Sequence, residues 1–169
     1  MGQIILIRHG QTEWSAAHRH TSYTDLDLTE AGERQATRLA GRLADRSFAA
    51  VFASPRLRAR RTAELAGLTV TDVDDDLAEW NYGEFEGLTT QEIRRDHPDW
   101  YLWRDGCPGG ESPEQVGARL DRVLQRAAER LADGDVALVG HAHSLRVAGA
   151  RWVGLPPGDG GKLRLETGG

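Results

Sequence analysis

Three short runs of aliphatic residues mark the chain, and each of them ends abruptly in polar side chains. The runs are Ile4–Ile7, Ala49–Ala53 and Val136–Val139. Uninterrupted apolar runs of this length are typical of strands that are buried on both faces, as in a parallel sheet. A shorter strand is predicted over 68–73, and the alternation over 162–167 predicts a further strand near the end of the chain.

Segments with helical periodicity separate these strands. Apolar residues recur at steps of three and four after Thr29, which can cap a helix. Ser54 and Pro55 form another start signal, with the hydroxyl as the cap and proline at the first helical position. The capping boxes that begin at Thr89 and Ser112 predict two more helices. This alternation predicts an α/β fold with a largely parallel sheet and helices on both faces.

Ionisable side chains follow three of the predicted strands. Arg8 and His9 come directly after the first strand, Arg58 lies just after the second, and His141 follows the strand predicted over 136–139. For an isolated Arg-His pair, a polar strand end without a function is the simpler interpretation. In open α/β sheets, however, ligands bind beyond the carboxyl ends of the strands, so these four side chains are expected to lie together.

Two histidines and two arginines at such positions suit phosphoryl transfer. A neutral imidazole can attack phosphorus and form a phosphohistidine, which divides one difficult displacement into two easier ones. Arginines match phosphate oxygens, and Arg8 and Arg58 would lower the pKa of His9 and keep it unprotonated. Gly10 is expected to let backbone N–H groups approach the phosphate. The predicted proton donor for the leaving oxygen is Glu79, on an irregular segment.

The composition narrows the class of protein. At 169 residues, with 39% apolar and 28% charged side chains, the chain suits one globular domain. The net charge of −5 argues against a general nucleic-acid surface, so an anionic ligand needs local arginines. No apolar run approaches the ~20 residues of a membrane span and no signal peptide is recognised. The single Cys107 allows neither a disulfide within this sequence nor a zinc cluster, and a cytoplasmic protein is expected.

Several motifs, taken in order, resemble those of the histidine phosphatase, or phosphoglycerate mutase-like, superfamily. Leu6–Trp14 resembles the signature that surrounds the nucleophile in that family. Further segments resemble the family in the same order along most of the chain. They are Thr24–Gly32, Ser54–Ala59, Leu77–Gly87, Gly110–Ser112 and Gly140–Ala142.

The resemblance implies a three-layer α/β/α sandwich formed by a single domain over residues 1–169. It also implies that His9 is the phosphorylated nucleophile, that Arg8, Arg58 and His141 form the phosphate pocket, and that Glu79 donates and accepts the proton. The family uses no metal and no cofactor for this step. Further substrate-binding candidates are Gln11, Ser15, Thr21, Ser22, Tyr82 and Ala142.

The sequence departs from phosphoglycerate mutases in several places. Ser15 stands where they usually have Asn, Trp80-Asn81 replaces a basic pair, and the segment 87–110 lacks their clustered basic residues. In detail, the resemblance is closest to acid phosphatases and sugar-bisphosphate phosphatases. Family members usually continue past residue 167, so we expect a truncated or abbreviated C-terminal edge.

Three functions are left open. The favoured one is a phosphomonoesterase that acts on a small sugar phosphate or bisphosphate. The alternatives are a mutase, which must shield its phosphohistidine from water, and a non-catalytic domain that binds a phosphorylated ligand. His18, His20 and His143 are interpreted as surface or supporting groups, since they share no metal-ligand pattern with His141. The expected partner is a small phosphomonoester, not nucleic acid or a membrane, and a homodimer stays open.

Overall fold

Strands and helices alternate along the chain in the computed structural model, which describes residues 2–169. The four strands are β1 (Ile4–Arg8), β2 (Phe48–Ala53), β3 (Asp72–Val73) and β4 (Asp135–Gly140). The α-helices are α1 (Glu13–Ala16), α2 (Glu30–Leu43), α3 (Leu57–Leu65), α4 (Thr90–Asp96), α5 (Leu102–Asp105), α6 (Pro113–Arg130) and α7 (Ala142–Trp152). Three 3-10 turns span Asp75–Leu77, Gly83–Phe85 and Pro157–Lys162.

The sheet has the strand order β1-β4-β2-β3, and all its described pairs are parallel. Ile4 pairs with Val136 and Arg8 with Gly140, so β1 and β4 end at the same level. A parallel sheet with this order places the carboxyl ends of its three longest strands side by side at one edge. The site residues that follow these strands are therefore brought together by topology alone.

The sheet is covered by helices on both faces, which makes the three-layer α/β/α sandwich. Side chains alternate along each strand: Val136 and Leu138 pack into one apolar cluster, and Ala137 and Val139 into the other. The first cluster includes buried residues of α6 and α7, and the second includes those of α2 and α3. Buried positions on both faces explain why the strands read as continuous apolar runs.

Helix α3 begins at Leu57, so the predicted start at Pro55 is wrong. The hydroxyl of Ser54 lies 2.7 Å from His141 Nε2 and does not cap the helix. The first turn receives its acceptor from elsewhere, because the Leu57 N–H donates to the Asp25 carboxylate at 2.8 Å. The capping boxes at Thr89 and Ser112 are present as predicted.

The predicted strand over 162–167 is also wrong, and the strand predicted over 68–73 contains only the two residues of β3. The Pro157–Lys162 turn and an irregular segment occupy this end of the chain. Its last residues still reach β1, since the Arg8 N–H donates to the Gly169 carbonyl at 3.0 Å. Within residues 2–169, no helix is both long and apolar enough to cross a membrane.

Candidate active site

Two buried histidines lie side by side at the carboxyl edge of the sheet. His9 follows β1, and His141 is the N-cap residue of α7, directly after β4. Their ring centroids are 5.2 Å apart, with an angle of 63° between the planes. The parallel pairing of β1 and β4 brings the ends of the two strands, and with them the two rings, to neighbouring positions.

The hydrogen bonds of His9 define its tautomer. Nδ1 lies 2.7 Å from the carbonyl oxygen of Gly10, which can only accept, so Nδ1 carries the hydrogen and Nε2 keeps its lone pair. Burial and, after it, the charges of Arg58 and Arg8 lower the pKa of His9 to about 3, against the opposing effect of the Gly10 bond. The ring is therefore neutral at physiological pH.

Arg58 lies fully buried on α3 and is held by main-chain carbonyls. Its Nη1 donates to Thr24 O at 3.0 Å, and its Nη2 donates to Thr21 O at 3.2 Å and Ser22 O at 3.1 Å. The Nε atoms of Arg58 and Arg8 are buried without a hydrogen-bond partner. Buried unpaired donors are uncommon, so these two N–H groups suit an anion.

Arg8 reaches across the edge of the sheet to the last segment of the chain. Its Nη1 donates to the Leu165 carbonyl at 2.8 Å. Burial lowers the pKa of the Arg8 and Arg58 side chains, although both stay charged because a guanidinium deprotonates only at very high pH. Two uncompensated positive charges next to a neutral imidazole favour binding of a dianion.

His141 is held neutral and is oriented by a hydroxyl group. Its Nε2 lies 2.7 Å from Ser54 Oγ, while Nδ1 is buried without a partner. Burial, followed by the charge of Arg58 and the proximity of His9, keeps the pKa of His141 well below its ordinary value. Ser54 thus orients the second histidine, a role that its position in a predicted helix cap did not indicate.

Glu79 is 5% exposed, and its carboxylate lies at the N-terminus of α7. One oxygen accepts from the N–H groups of Trp80 at 2.9 Å and Ser144 at 2.8 Å. The other accepts from the N–H of His143 at 3.1 Å. The first turn of α7 therefore holds this carboxylate with otherwise unpaired donors and a favourable dipole.

Gly10 has a different role from the one expected. Its N–H donates to Thr62 Oγ1 at 3.0 Å, so it is not free to approach a phosphate. A Cβ atom at Gly10 would lie 2.3 Å from the carbonyl oxygen of Gly32 in α2. The glycine is required because the loop after β1 packs backbone to backbone against the first turn of that helix.

A cavity of about 400 Å³ opens beside His9, Arg8 and Glu79. Arg58 and His141 are fully buried and are not among the residues on its wall. Of the predicted substrate-binding residues, four line the cavity and two do not. The four are Ser15, Thr21, Tyr82 and Ala142.

The two candidates away from the cavity have other contacts. The Gln11 side chain accepts from the Thr29 hydroxyl at 3.0 Å. Ser22 is buried, its N–H donates to the Glu86 carboxylate at 2.8 Å, and its carbonyl binds Arg58. Both residues support the loops around the site and do not form part of the cavity wall.

Aromatic and imidazole rings form one side of the cavity. His18, His20 and His143, which were interpreted as surface or supporting groups, line it together with Tyr82, Trp100 and Trp103. The hydroxyl of Tyr82 lies 2.6 Å from His143 Nδ1. Burial raises the pKa of Tyr82 well above its ordinary value, so the hydroxyl keeps its proton.

The tautomer of His20 is fixed in the same way as that of His9. Its Nδ1 lies 2.7 Å from the Leu88 carbonyl, so Nδ1 carries the hydrogen. Burial lowers the pKa of His20, which leaves Nε2 as a neutral acceptor. An acceptor of this kind suits a donor such as a hydroxyl group.

Arginines from four separate segments also line the cavity, and only one of them, Arg94, lies in the segment 87–110 that was expected to lack clustered basic residues. They are Arg19, Arg94, Arg146 and Arg164. Arg146 is fixed best: it donates to the carbonyls of Gly160 and Gly161, and its guanidinium lies 4.5 Å from the ring centre of Trp103. Residues three apart on a helix lie on the same face. The sequence signal for Arg146 was therefore its position three residues after His143 on a predicted helix.

Metal chemistry has no obvious support among these groups. Across residues 2–169, no three His, Cys, Asp or Glu side chains lie close enough together to hold a metal ion. Cys107 is buried, and burial raises its pKa to about 12, so it is an unreactive thiol.

The comparisons with known proteins agree with this geometry. A family model described as the histidine phosphatase superfamily, branch 1, matches residues 4–169. An acid phosphatase of Mycobacterium tuberculosis is 45% identical over 168 residues, which cover 98% of this chain and 82% of that protein. A sedoheptulose 1,7-bisphosphatase of Saccharomyces cerevisiae is 38% identical over an alignment of 183 positions, which covers 89% of this chain and 67% of that protein.

A solved structure of the product of the Mycobacterium tuberculosis open reading frame Rv3214 has the same fold. It superimposes with a TM-score of 0.94 at 45% identity, and the match covers 99% of this chain and 88% of that one. The family model covers nearly the whole chain, and these relatives match over most of its length. The chain therefore belongs to branch 1 of the histidine phosphatase superfamily, and its enzyme class is that of the phosphoric monoester hydrolases.

Proposed function

We propose that the protein hydrolyses small phosphorylated sugars, mono- or bisphosphates, through a phosphohistidine on His9. One observation carries this proposal. His9, whose Nε2 is unprotonated, lines a cavity together with Arg8 and Glu79, and the buried Nε atoms of Arg8 and Arg58 lack a partner. A nucleophile, anion-binding groups and a proton donor are what hydrolysis of a phosphomonoester requires.

In the first step, the lone pair of His9 Nε2 attacks phosphorus and the bond from phosphorus to the ester oxygen breaks. Protonated Glu79 gives its proton to that oxygen, so the product leaves as a neutral alcohol. Arg8, Arg58 and His141 stabilise the negative charge on the other three phosphoryl oxygens.

In the second step, a water molecule attacks the phosphoryl group and the bond from phosphorus to Nε2 breaks. The Glu79 carboxylate accepts a proton from that water, inorganic phosphate leaves, and the neutral imidazole of His9 is restored. The Gly10 carbonyl holds Nδ1–H throughout, so His9 returns to the same tautomer. The sequence of steps needs no other reactant than water.

The wall of the cavity supports a sugar as the remainder of the substrate. Sugar rings expose C–H faces that pack on aromatic side chains such as Trp100 and Trp103, and hydroxyls that can donate to His20 Nε2. The four cavity arginines suit a further anionic group, which fits a bisphosphate. The name of the sedoheptulose bisphosphatase relative supports the same class of substrate.

A mutase remains the alternative that a specific observation favours. Arg19, Arg94, Arg146 and Arg164 could hold a partly dephosphorylated intermediate until it takes the phosphoryl group back. The third function is a non-catalytic domain that only binds a phosphorylated ligand. The neutral imidazole of His9, next to Glu79 in the site, argues against it. We expect one domain over 1–169 that acts in the cytoplasm, and a homodimer stays a prediction.

A substrate panel separates these functions. The purified protein is incubated with sugar monophosphates, sugar bisphosphates and 3-phosphoglycerate, and both inorganic phosphate and isomerised product are measured. Hydrolysis predicts stoichiometric phosphate from at least one sugar phosphate, and an acid-labile label on His9 after a rapid quench. Isomerised product without phosphate release would establish the mutase instead, and no turnover on any substrate would reject catalysis.

A further inference from the structure

Arg119, on α6, binds the segment that carries Glu79 with three of its five donors and Glu111 with the other two. Its side chain is 11% exposed. Nη1 donates to the carbonyls of Asp76 and Ala78, both at 2.7 Å, and Nη2 donates to the carbonyl of Glu79 at 3.1 Å. The two remaining N–H groups donate to the two carboxylate oxygens of Glu111, at 2.7 and 3.0 Å.

Glu111 binds the same segment from its other side. One of its carboxylate oxygens also accepts from the Asn81 N–H at 2.8 Å. Its main-chain carbonyl accepts from the indole N–H of Trp80 at 2.9 Å, and its N–H donates to the Asn81 carbonyl at 2.9 Å. Residues 76–81 are thus connected to the Arg119–Glu111 pair at six points.

The N–H groups at the start of this segment are paired locally, because those of Asp76, Leu77 and Ala78 donate to Asp74 and Asp75. Its carbonyl groups depend on Arg119, and residues 78–81 belong to no strand or α-helix. Apart from a 3.5 Å contact of the Ser22 hydroxyl with the Glu79 carbonyl, the carbonyls of Asp76, Ala78 and Glu79 have Arg119 as their donor. Main-chain groups that are not paired within secondary structure depend on such partners for a defined position.

We propose that Arg119 and Glu111 are positioning residues that set the distance between the Glu79 carboxyl group and the ester oxygen. This inference rests on the proposed role of Glu79 as the proton donor. The N-terminus of α7 fixes the carboxylate, and the Arg119–Glu111 pair fixes the main chain from which it extends. Proton transfer requires hydrogen-bond distance, and a shift of about 1 Å can cost on the order of 10²-fold in rate.

The test compares phosphate esters with good and poor leaving groups. An aryl phosphate leaves as a stable phenolate and needs little protonation, whereas an alkyl phosphate needs the proton. Arg119→Gln should therefore lower kcat for glycerol phosphate about 30- to 100-fold, and that for p-nitrophenyl phosphate less than about fivefold. Arg119→Lys, which keeps the charge but not the five-donor fork, should fall between the wild type and Arg119→Gln.

Arg122 provides a matched control on the same helix. It pairs with the side chain of Asp76 at 2.6 Å, is 57% exposed, and donates to none of the carbonyls of 76–81. Arg122→Gln should leave the ratio of the two kcat values unchanged. If Arg119→Gln does not fold, as shown by its thermal unfolding, Arg119→Lys decides on the same ratio.

The background variant Glu79→Gln separates this inference from the function on which it rests. Arg119→Gln should cause no further loss with glycerol phosphate in that background. Equal slowing of both esters by Arg119→Gln, or an added loss in the Glu79→Gln background, would overturn the positioning role alone. Equal slowing of both esters by Glu79→Gln itself would reject Glu79 as the acid and with it both proposals.

Discussion

The phosphate end of the site and the wall of the cavity beyond it are built in different ways. His9 and His141 are fixed by neighbouring parallel strands, and Arg58 is buried on the helix that follows a third. The cavity wall comes from irregular segments and short helices, and its arginines reach in from four separate parts of the chain. Under the proposed function, chemistry common to many phosphoesters would rest on the sheet, and substrate choice would rest on connections that vary more easily.

The largest effect is expected at the phosphate end. His9→Ala removes the nucleophile and should lower kcat/KM for any phosphomonoester by about 10⁴-fold or more. Phosphate release from p-nitrophenyl phosphate measures it, and far-UV circular dichroism checks that the fold is kept. His97 is an exposed histidine whose ring contacts Phe85. His97→Ala is the control and should keep full activity. Turnover of His9→Ala at the wild-type rate would disprove the phosphohistidine.

Glu79 lies where the two regions meet, so its effect should depend on the substrate. Glu79→Gln keeps the shape of the side chain but removes the transferable proton. Its kcat should fall about 10²- to 10³-fold for alkyl phosphates and less than tenfold for aryl phosphates. A plot of rate against leaving-group acidity makes the difference visible. A uniform fall over that series would assign Glu79 to binding.

Changes in the cavity wall should alter recognition with little effect on the chemistry. Arg146→Met removes one charge-assisted contact and should raise KM for a sugar bisphosphate roughly 30-fold, with kcat changed less than threefold. For a monophosphate of the same sugar, KM should change by less than about threefold. Arg151→Met, on the same helix but paired with Asp121 outside the cavity, serves as the control. Identical KM changes for both sugars would show that Arg146 does not contact a further anion.

The smallest effect concerns stability and pH. Burial lowers the pKa of His9 in the folded protein to about 3 and also lowers that of His141 and His143. The unfolded chain therefore binds more protons below about pH 6.5, and stability is lost as pH falls. From pH 7 to pH 5.5, each such histidine should cost about 1 kcal/mol of unfolding free energy.

Urea unfolding at the two pH values measures this loss. His9→Asn, which cannot titrate, should reduce the loss between the two pH values by about 1 kcal/mol. His97→Gln, at the protein surface, should leave it unchanged. An equal loss in His9→Asn and the wild type would show that His9 is not kept neutral by burial.

The same division decides how much could be predicted from the sequence. Continuous apolar runs identified the three long strands, and the order of strands and helices then brought Arg8, His9, Arg58 and His141 to one edge. That step needs only local pattern and topology. Glu79 was nominated as the proton donor from its chemistry on an irregular segment, and the family resemblance implied the same role, because such a segment has no period that could position the side chain.

Long-range contacts are what the sequence did not reveal. The predicted start of α3 was wrong because the first N–H of this helix donates to the carboxylate of Asp25, more than thirty residues earlier. The 162–167 segment alternates like a strand, yet the main-chain hydrogen bonds to β1 are made by Gly168 and Gly169, and Leu165 accepts only from the Arg8 side chain. His20 and His143 were interpreted as surface or supporting groups, because nothing in the local pattern shows which loops meet around a cavity. Such features depend on tertiary packing that local propensity does not encode.

The contact between Gly10 and Gly32 has a consequence for redesign of this enzyme. A side chain at either position would lie within 2.3 Å of a backbone oxygen, 2.3 Å at Gly10 and 2.1 Å at Gly32, and backbone cannot rotate away as a side chain can. A mutant library aimed at new phosphoesters can therefore vary the cavity wall freely, but it gains nothing from positions 10 and 32. Those two glycines determine the position of the loop that carries His9, and every useful variant is expected to keep them.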